Sequence, residues 1–227
     1  MVYEISLGSG SGRKRSESKE VVTLNSKSVR KIFLVVLAIK PHNFTLEFEQ
    51  EGEKVKTRKV AFVTGASRGI GAASSKLIAA DKPKLILCAQ SAEAIHETKI
   101  SAESLGAKVE TYGFDVSDAK ASKNLVDTII EQHGHIDVLI NNAGSGKMGS
   151  VADMTPDVFQ DVHKINVMGP YNMIHAVLPS MIESDCGTII NLTSARAFIP
   201  GRYYAAYCSS KAALISMTQC LLSLIHI

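Results

Sequence analysis

The chain has 227 residues, 45% of them hydrophobic and 21% charged, with a formal net charge of +3. That length supports one sizeable core rather than two full domains, and the charge balance excludes a nucleic-acid binder held by a basic surface. The longest uninterrupted apolar run, Ile32 to Ile39, falls well short of the roughly 20 residues that span a bilayer, so no transmembrane segment is expected. Cys88, Cys186, Cys208 and Cys220 show no C-x-x-C spacing, which points to free thiols in a reducing, cytoplasmic compartment.

Residues 1–58 read as an N-terminal extension, flexible or poorly ordered. It opens with the Gly8-to-Gly12 glycine/serine run and Arg13-Lys14-Arg15, a solvated tail with no strand before it and no apolar helix after it. Between Val21 and Lys59 it carries a strand-like run, the alternating Phe44-to-Glu49 piece and a charged linker. No function is assigned to it, and membrane association through it stays open. The run at Ile32 to Ile39 has no small-residue cleavage site behind it, which argues against a signal sequence. The Asn191-Leu192-Thr193 sequon falls in an expected buried strand.

From Lys59 the pattern becomes regular. Strands are expected at Val60 to Thr64, Leu85 to Ala89, Lys108 to Phe114, Ile136 to Ile140 and Thr188 to Leu192. Helices are expected at Ile70 to Ala80, Ala92 to Leu105, Ala119 to His133, about Thr155 to Ser184, and from Tyr207 onward, with Thr155-Pro156 as N-cap and first helical residue. Short strands alternating with helices imply right-handed βαβ units and a parallel sheet covered on both faces, a doubly wound α/β domain.

Four constellations sit at the carboxyl ends of these strands, where ligands bind in open α/β sheets. The first strand runs into Thr64-Gly65-Ala66-Ser67-Arg68-Gly69-Ile70-Gly71 and a helix, a context in which glycines let the backbone approach a pyrophosphate and helix amides meet its charge. Asp115-Val116 follows the third strand, where Asp115 either contacts a ligand or merely begins the next turn. Asn141-Asn142-Ala143-Gly144 follows the fourth. Ser194 follows the fifth, thirteen residues before Tyr207. Tyr207 and Lys211 are four apart on a helix and share a face, and an ammonium beside a phenol favours the phenolate that acid/base chemistry needs. His133 and His135 flank a glycine and read as turn residues rather than metal ligands, so no metal is expected. His96, His163 and His175 read as surface or packing residues. Met148, Met154, Met168, Met173, Met181 and Met217 read as fillers of core or substrate-side gaps.

Thr64-Gly65-x-x-x-Gly69-x-Gly71, Asp115, Asn141-Asn142-Ala143-Gly144, Asn166, Ser194 and Tyr207-x-x-x-Lys211, in this order and spacing, make the stretch from about Lys59 to Gln219 resemble the short-chain dehydrogenase/reductases in their compact soluble branch. The resemblance implies a Rossmann-type doubly wound parallel sheet in three αβα layers over residues 59–227. It also implies hydride transfer between a nicotinamide cofactor and a carbonyl or secondary alcohol. In that reading Tyr207 is the general acid/base, Ser194 polarises the substrate oxygen, and Lys211 binds the nicotinamide ribose. Asn166 interrupts the long helix and holds a water that links Lys211 to solvent. The implied cofactor-binding set is Gly65, Ser67, Arg68, Gly69, Ile70, Gly71, Asp115, Val116, Asn142, Ala143 and Gly144, joined by Tyr207 and Lys211.

Cofactor choice turns on the end of the second strand. Ala89-Gln90-Ser91 offers no carboxylate for ribose hydroxyls, and Arg68 stands where NADP-preferring relatives carry a basic residue, so NADP is favoured over NAD. The family continues past the Tyr/Lys helix, whereas this chain ends at Leu221 to Ile227, so a domain lacking its last strands is expected. Two other readings stand beside the NADP-dependent enzyme: a non-catalytic nucleotide-binding sensor or scaffold, and an inactive truncated fragment. The implied partners are a small-molecule carbonyl or alcohol and a second copy of the chain, paired through the Thr155-to-Ser184 and Tyr207 helices, with no nucleic acid.

Overall fold

A computed structural model describes residues 31–37 and 60–224. The glycine/serine tail, the Arg13-to-Arg15 run, the Phe44-to-Glu49 alternation and the charged linker lie outside the described residues. So does the last part of the Leu221-to-Ile227 ending. Six strands are described: β1 (Lys31–Leu37), β2 (Val60–Thr64), β3 (Lys84–Ala89), β4 (Lys108–Gly113), β5 (Val138–Asn141) and β6 (Cys186–Leu192). The helices are α1 (Gly69–Ala79), α2 (His96–Ser104), α3 (Ala119–His133), α4 (Pro156–His163), α5 (Gly169–Glu183) and α6 (Ala205–Leu224).

The strands form one sheet in the order β1-β6-β5-β2-β3-β4, with every pair parallel. Counting from β2, the five strands β4-β3-β2-β5-β6 follow the order 3-2-1-4-5 of a doubly wound nucleotide-binding sheet. β1 lies beyond β6, with Lys31 opposite Cys186 and Leu37 opposite Leu192. Within residues 1–58 the strand-like run, Lys31–Leu37, is the edge strand of the sheet. A run of apolar residues supplies strand propensity without naming the neighbour, and the neighbour here is about 150 residues away in the sequence.

Strand alternation divides the core into two layers. Phe62, Ile86, Leu139 and Ile189 face Val126 and Ile129 of α3 and Met173, Val177 and Met181 of α5. Val63, Leu85, Leu87 and Ile190 face the other way, towards Ala79 of α1 and Ile95 and Ala102 at α2. Burying each such side chain contributes about 1.5–3 kcal/mol, which is why both sheet faces must be covered. The architecture is Rossmann-like αβα, as expected. Met173 and Met181 fill core, whereas Met148 and Met168 are exposed.

Local signals place the elements. Asp118 accepts a hydrogen bond from the Ala121 amide at 2.9 Å to start α3, and Gly134, at φ +84°, ends it. Thr155 caps α4 through the Val158 amide with Pro156 in the first turn. His133 sits 3.3 Å from Glu110, 23 residues away in the sequence, and His135 sits 3.2 Å from Asp137, two residues on. Burial tends to push the Glu110 carboxyl up, but hydrogen bonds from Lys84, His133 and Tyr112 outweigh it and hold the carboxyl below its usual range. Among the described residues no group of three potential metal ligands occurs, and no helix is long and apolar enough to cross a membrane.

A buried polar chain crosses the sheet to α6. The Asn141 amide donates to Asn191 Oδ1 at 2.9 Å, and the Asn191 amide donates to Thr218 Oγ1 at 2.9 Å. Asn191 is fully buried, which removes it as a glycan acceptor. Replacing Asn191 with Leu should lower unfolding free energy by roughly 1–3 kcal/mol, because the Asn141 amide loses its acceptor and Thr218 a donor. Urea titration followed by circular dichroism measures it; an unchanged midpoint would show that this chain of bonds carries no stability.

Candidate active site

The glycine turn begins where β2 ends. Gly65 has φ +64°, and a methyl group there would lie 2.8 Å from Ala143 Cα, so only glycine lets β2 and the loop after β5 approach so closely. At Gly71 a side chain would collide with the Gly65 carbonyl and the Asn142 amide. Gly69, at φ +58°, faces open space. Arg68 is the exposed N-cap of α1, and no side chain caps the first turn, which also carries no acidic residue. The amides of that turn are therefore open to an anion.

Two polar side chains weld this turn to the end of β5. Thr64 Oγ1 accepts from the Asn142 and Ala143 amides at 3.1 Å each and donates to the Ile140 carbonyl. Asn142 Nδ2 donates to the Thr64 carbonyl at 3.0 Å and the Gly65 carbonyl at 2.8 Å. Both amide protons of Asn142 are thus spent within the protein. Thr64 holds the centre of this junction, a role that its place at the head of the glycine motif did not reveal.

Asp115 is exposed and its Oδ1 accepts from the Ser117 amide at 2.8 Å, so it begins the turn into α3. Val116 is buried, its side chain packed against Gly169. Gln90 and Ser91 are exposed at the end of β3, without a carboxylate among them.

At the other side of the crevice α4 and α5 are separated by a π-helical turn, Lys164–Met168, as the expected interruption at Asn166 requires. Its cause lies four residues on. Residue 170 is proline, with no N–H to give the Asn166 carbonyl and a ring that crowds it, so the turn widens. The Gly169 amide bonds instead to the Lys164 carbonyl. The Asn166 side chain is fully buried. Its Oδ1 accepts from the Ser145 amide at 2.7 Å, and its Nδ2 donates to the Ser145 carbonyl at 2.8 Å and to Ser210 Oγ at 2.9 Å. Ser210, three residues after Tyr207 on the same helix face, was legible in principle from that spacing and was not picked out.

α6 supplies Tyr207 and Lys211. The Lys211 side chain is 5% exposed, its Nζ donates to the Leu192 carbonyl at 2.7 Å and lies 5.9 Å from the Tyr207 ring centre. Burial lowers the Lys211 pKa from 10.5 to about 8. A methyl group at Gly144 would sit 3.7 Å from Lys211 Nζ and 3.3 Å from Asn166 Oδ1, so the four-residue motif after β5 reaches the same spot. Ser194 stands two residues beyond Leu192, at the head of a short 3₁₀ turn, Ala195–Ala197, and its Oγ accepts from the Arg196 amide at 3.2 Å. Tyr207, Lys211, Asn166 and Gly144 are thus brought together, with Ser194 at the end of the strand that holds Lys211.

A sequence model described as short chain dehydrogenase matches residues 59–225. The chain belongs to the short-chain dehydrogenase family. It is similar to dehydrogenase/reductase SDR family member 7B of Bos taurus, 34% identical over 168 residues, covering 71% of this chain and 52% of that protein. The chain therefore spans about half the length of this curated relative. An NAD+-bound xylitol dehydrogenase structure matches with a TM-score of 0.69 at 34% identity, over 72% of this chain and 63% of that one. A metagenomic short-chain oxidoreductase in complex with NADP matches with a TM-score of 0.72 at 31% identity, over 74% and 75%.

In this member of the family, Lys211 is costly to the fold. The sign follows from its lowered pKa: below about pH 8 both folded and unfolded chains hold the proton, and the folded chain bears a penalty on the order of 3 kcal/mol. The penalty fades as pH rises from about 8 towards the unfolded value. Lys211→Met leaves the Leu192 carbonyl unpaired, so its net gain at pH 7 should be roughly 1–2 kcal/mol. The wild-type chain should gain stability between pH 8 and 10 in urea titrations and the variant should not; parallel pH profiles would refute the burial cost.

Proposed function

We propose that the chain is an NADP-dependent oxidoreductase that moves a hydride between a nicotinamide cofactor and a carbonyl or secondary alcohol, with Tyr207 as general acid/base. The observation that carries this reading is the buried Lys211 ammonium beside the Tyr207 ring, a cation held in the protein at a stability cost.

The residues present fit such a cofactor. Gly65, Gly69 and Gly71 leave a turn without side chains, and the uncapped start of α1 offers amides to a pyrophosphate. Ser67, Ile70, Ala143 and Gly144 border that turn or the loop facing it. Asp115 and Val116 would stand at the adenine end, with Asp115 reaching it through the turn that it forms. Because the Asn142 amide is committed to Thr64 and Gly65, its contribution is to shape the ribose side of the crevice rather than to donate to it. When bound, the cofactor supplies or accepts the hydride.

The chain's own residues handle the proton. In the reducing direction the Tyr207 hydroxyl gives its proton to the substrate oxygen. Ser194 Oγ already accepts from the Arg196 amide, which leaves its hydroxyl proton to steady that oxygen. Lys211 uses one ammonium proton on Leu192 and has two for ribose hydroxyls and a water. The Asn166 side chain is fully occupied, so the relay water would rest on its backbone carbonyl, which Pro170 leaves without the usual helical donor. A second copy would pair along α4, α5 and α6, where Phe159, Tyr171 and Ile182 are exposed.

Tyr207→Phe should lower kcat for NADPH-dependent carbonyl reduction by about 10²–10⁴-fold while NADPH binding by fluorescence titration holds. Turnover unaffected by the change would end the acid/base assignment. For cofactor choice, Arg68→Ala should raise KM for NADPH about tenfold or more with little change for NADH, the loss of a charged contact to a phosphate. Equal changes for both cofactors would remove Arg68 from 2′-phosphate recognition.

A further inference from the structure

The loop after β5 and the loop after β6 meet beside Tyr207. The Gly149 amide donates to the Tyr203 carbonyl at 3.0 Å, and Tyr203 is a non-glycine residue at φ +69°. Such backbone strain persists only where surrounding bonds impose it, and it concentrates at ligand clamps. Gly146 lies against the Tyr207 ring and itself puts no side chain there.

This joined rim has two chemical characters. Met148, Phe198 and Ile199 are 64%, 62% and 67% exposed, large apolar side chains left in water on these two loops. Between residues 144–154 and 194–204 the charged side chains are Lys147, Arg196, Arg202 and Asp153, and Asp153 is engaged by the Ser150 hydroxyl. Arg196 is held in place: its guanidinium stacks 5.3 Å from the Tyr204 ring centre, Tyr204 meets Tyr207 edge-on at 6.4 Å, and the bare backbone of Gly201 leaves room for the guanidinium. Arg202 stacks likewise on Tyr203 at 5.0 Å. Arginines pre-positioned on rings lose little freedom when they grip an oxyanion.

We infer that the substrate is an amphiphilic ketone or alcohol whose oxyanion head, carboxylate or phosphate, is held by Arg196 with Arg202 and Lys147, while its apolar chain lies on Met148, Phe198 and Ile199. The inference rests on Tyr207 acting on the carbonyl. The Arg196–Tyr204–Tyr207 series places the head about two ring contacts from the Tyr207 ring, which sets a short linker between the head and the carbonyl.

The test uses the full chain with NADPH and matched ketones: 6-oxododecanoate, its neutral methyl ester, 6-oxododecyl phosphate and the short 6-oxoheptanoate. The kcat/KM for 6-oxododecanoate or the phosphate should exceed that of the ester, and that of 6-oxododecanoate should exceed that of 6-oxoheptanoate, each by tenfold or more. The better of the two heads names the oxyanion. Arg196→Gln should cost the anionic ketone at least tenfold more than the ester, mainly in KM, with partial recovery in Arg196→Lys. Equal rates on acid, phosphate and ester, or equal losses on all in Arg196→Gln, would overturn the proposal. If no ketone turns over, calorimetric titration of decanoate into the NADP-loaded chain separates the two ideas. Binding that weakens tenfold in Arg196→Gln keeps the anion site and removes the hydride-transfer reading; no decanoate binding removes the anion site. Sedimentation with phosphatidylglycerol vesicles that Phe198→Ser abolishes, without any preference among the ketones, would reassign the rim to a lipid surface and likewise overturn it.

Discussion

A carboxamide with no exposed surface must find all its hydrogen bonds inside the protein, and Asn166 finds them in two different segments. Its oxygen and one amide proton close a ring with the Ser145 backbone, and its other bond reaches Ser210 on α6. The loop after β5, the α4–α5 unit and the Tyr207 helix are therefore held to one another at a single residue. Each bond nets only about 1 kcal/mol, but leaving a buried partner unmade costs about 1–3 kcal/mol, so alternative arrangements are excluded more strongly than the native one is favoured. The π-helical turn belongs to the same constraint. Pro170 denies the Asn166 carbonyl its helical donor, and the widened turn is where that side chain points inward.

The second junction, Thr64 with Asn142, lies at the point where strand order reverses, between β2 and β5. Chains of this topology open a crevice there because successive helices leave to opposite faces of the sheet. One junction fixes the glycine turn, the other fixes the Tyr/Lys helix, and the tetrapeptide Asn141-Asn142-Ala143-Gly144 touches both. Asn141 takes part in the polar chain to Asn191 and Thr218, Asn142 locks the turn, and Gly144 comes within reach of Lys211 and Asn166. A four-residue segment thereby sets the distance between the glycine turn and the Tyr207/Lys211 pair.

Most of this layout is local and was readable from the sequence. The β2 strand spans the expected Val60 to Thr64, α3 the expected Ala119 to His133, and Thr155-Pro156 does open α4. These elements carry their own signals in period, cap and stop residues. What escaped is non-local. Pairing of Lys31–Leu37 with β6, the carboxylate of Glu110 beside His133, and the commitment of the Asn142 amide to Thr64 and Gly65 all join residues from 23 to about 155 positions apart. No spacing rule addresses such pairs. Pro170 is the exception, since its offset of four from Asn166 was in plain sight and predicts the widened turn from the missing N–H alone.

Burial also separates two meanings of the same tetrad spacing. A tyrosine and a lysine four apart on an exposed helix face would be an ordinary solvated pair, and the spacing would look the same. Here the lysine is 5% exposed, and burial lowers its pKa to about 8. Its ammonium is compensated by a single backbone carbonyl, Leu192, and a carbonyl cannot replace the hydration that a cation loses. A leucine or methionine would pack in this position at less cost. The lysine is therefore kept beside the Tyr207 ring against the interest of the fold, which is the pattern that the acid/base role proposed for this pair calls for.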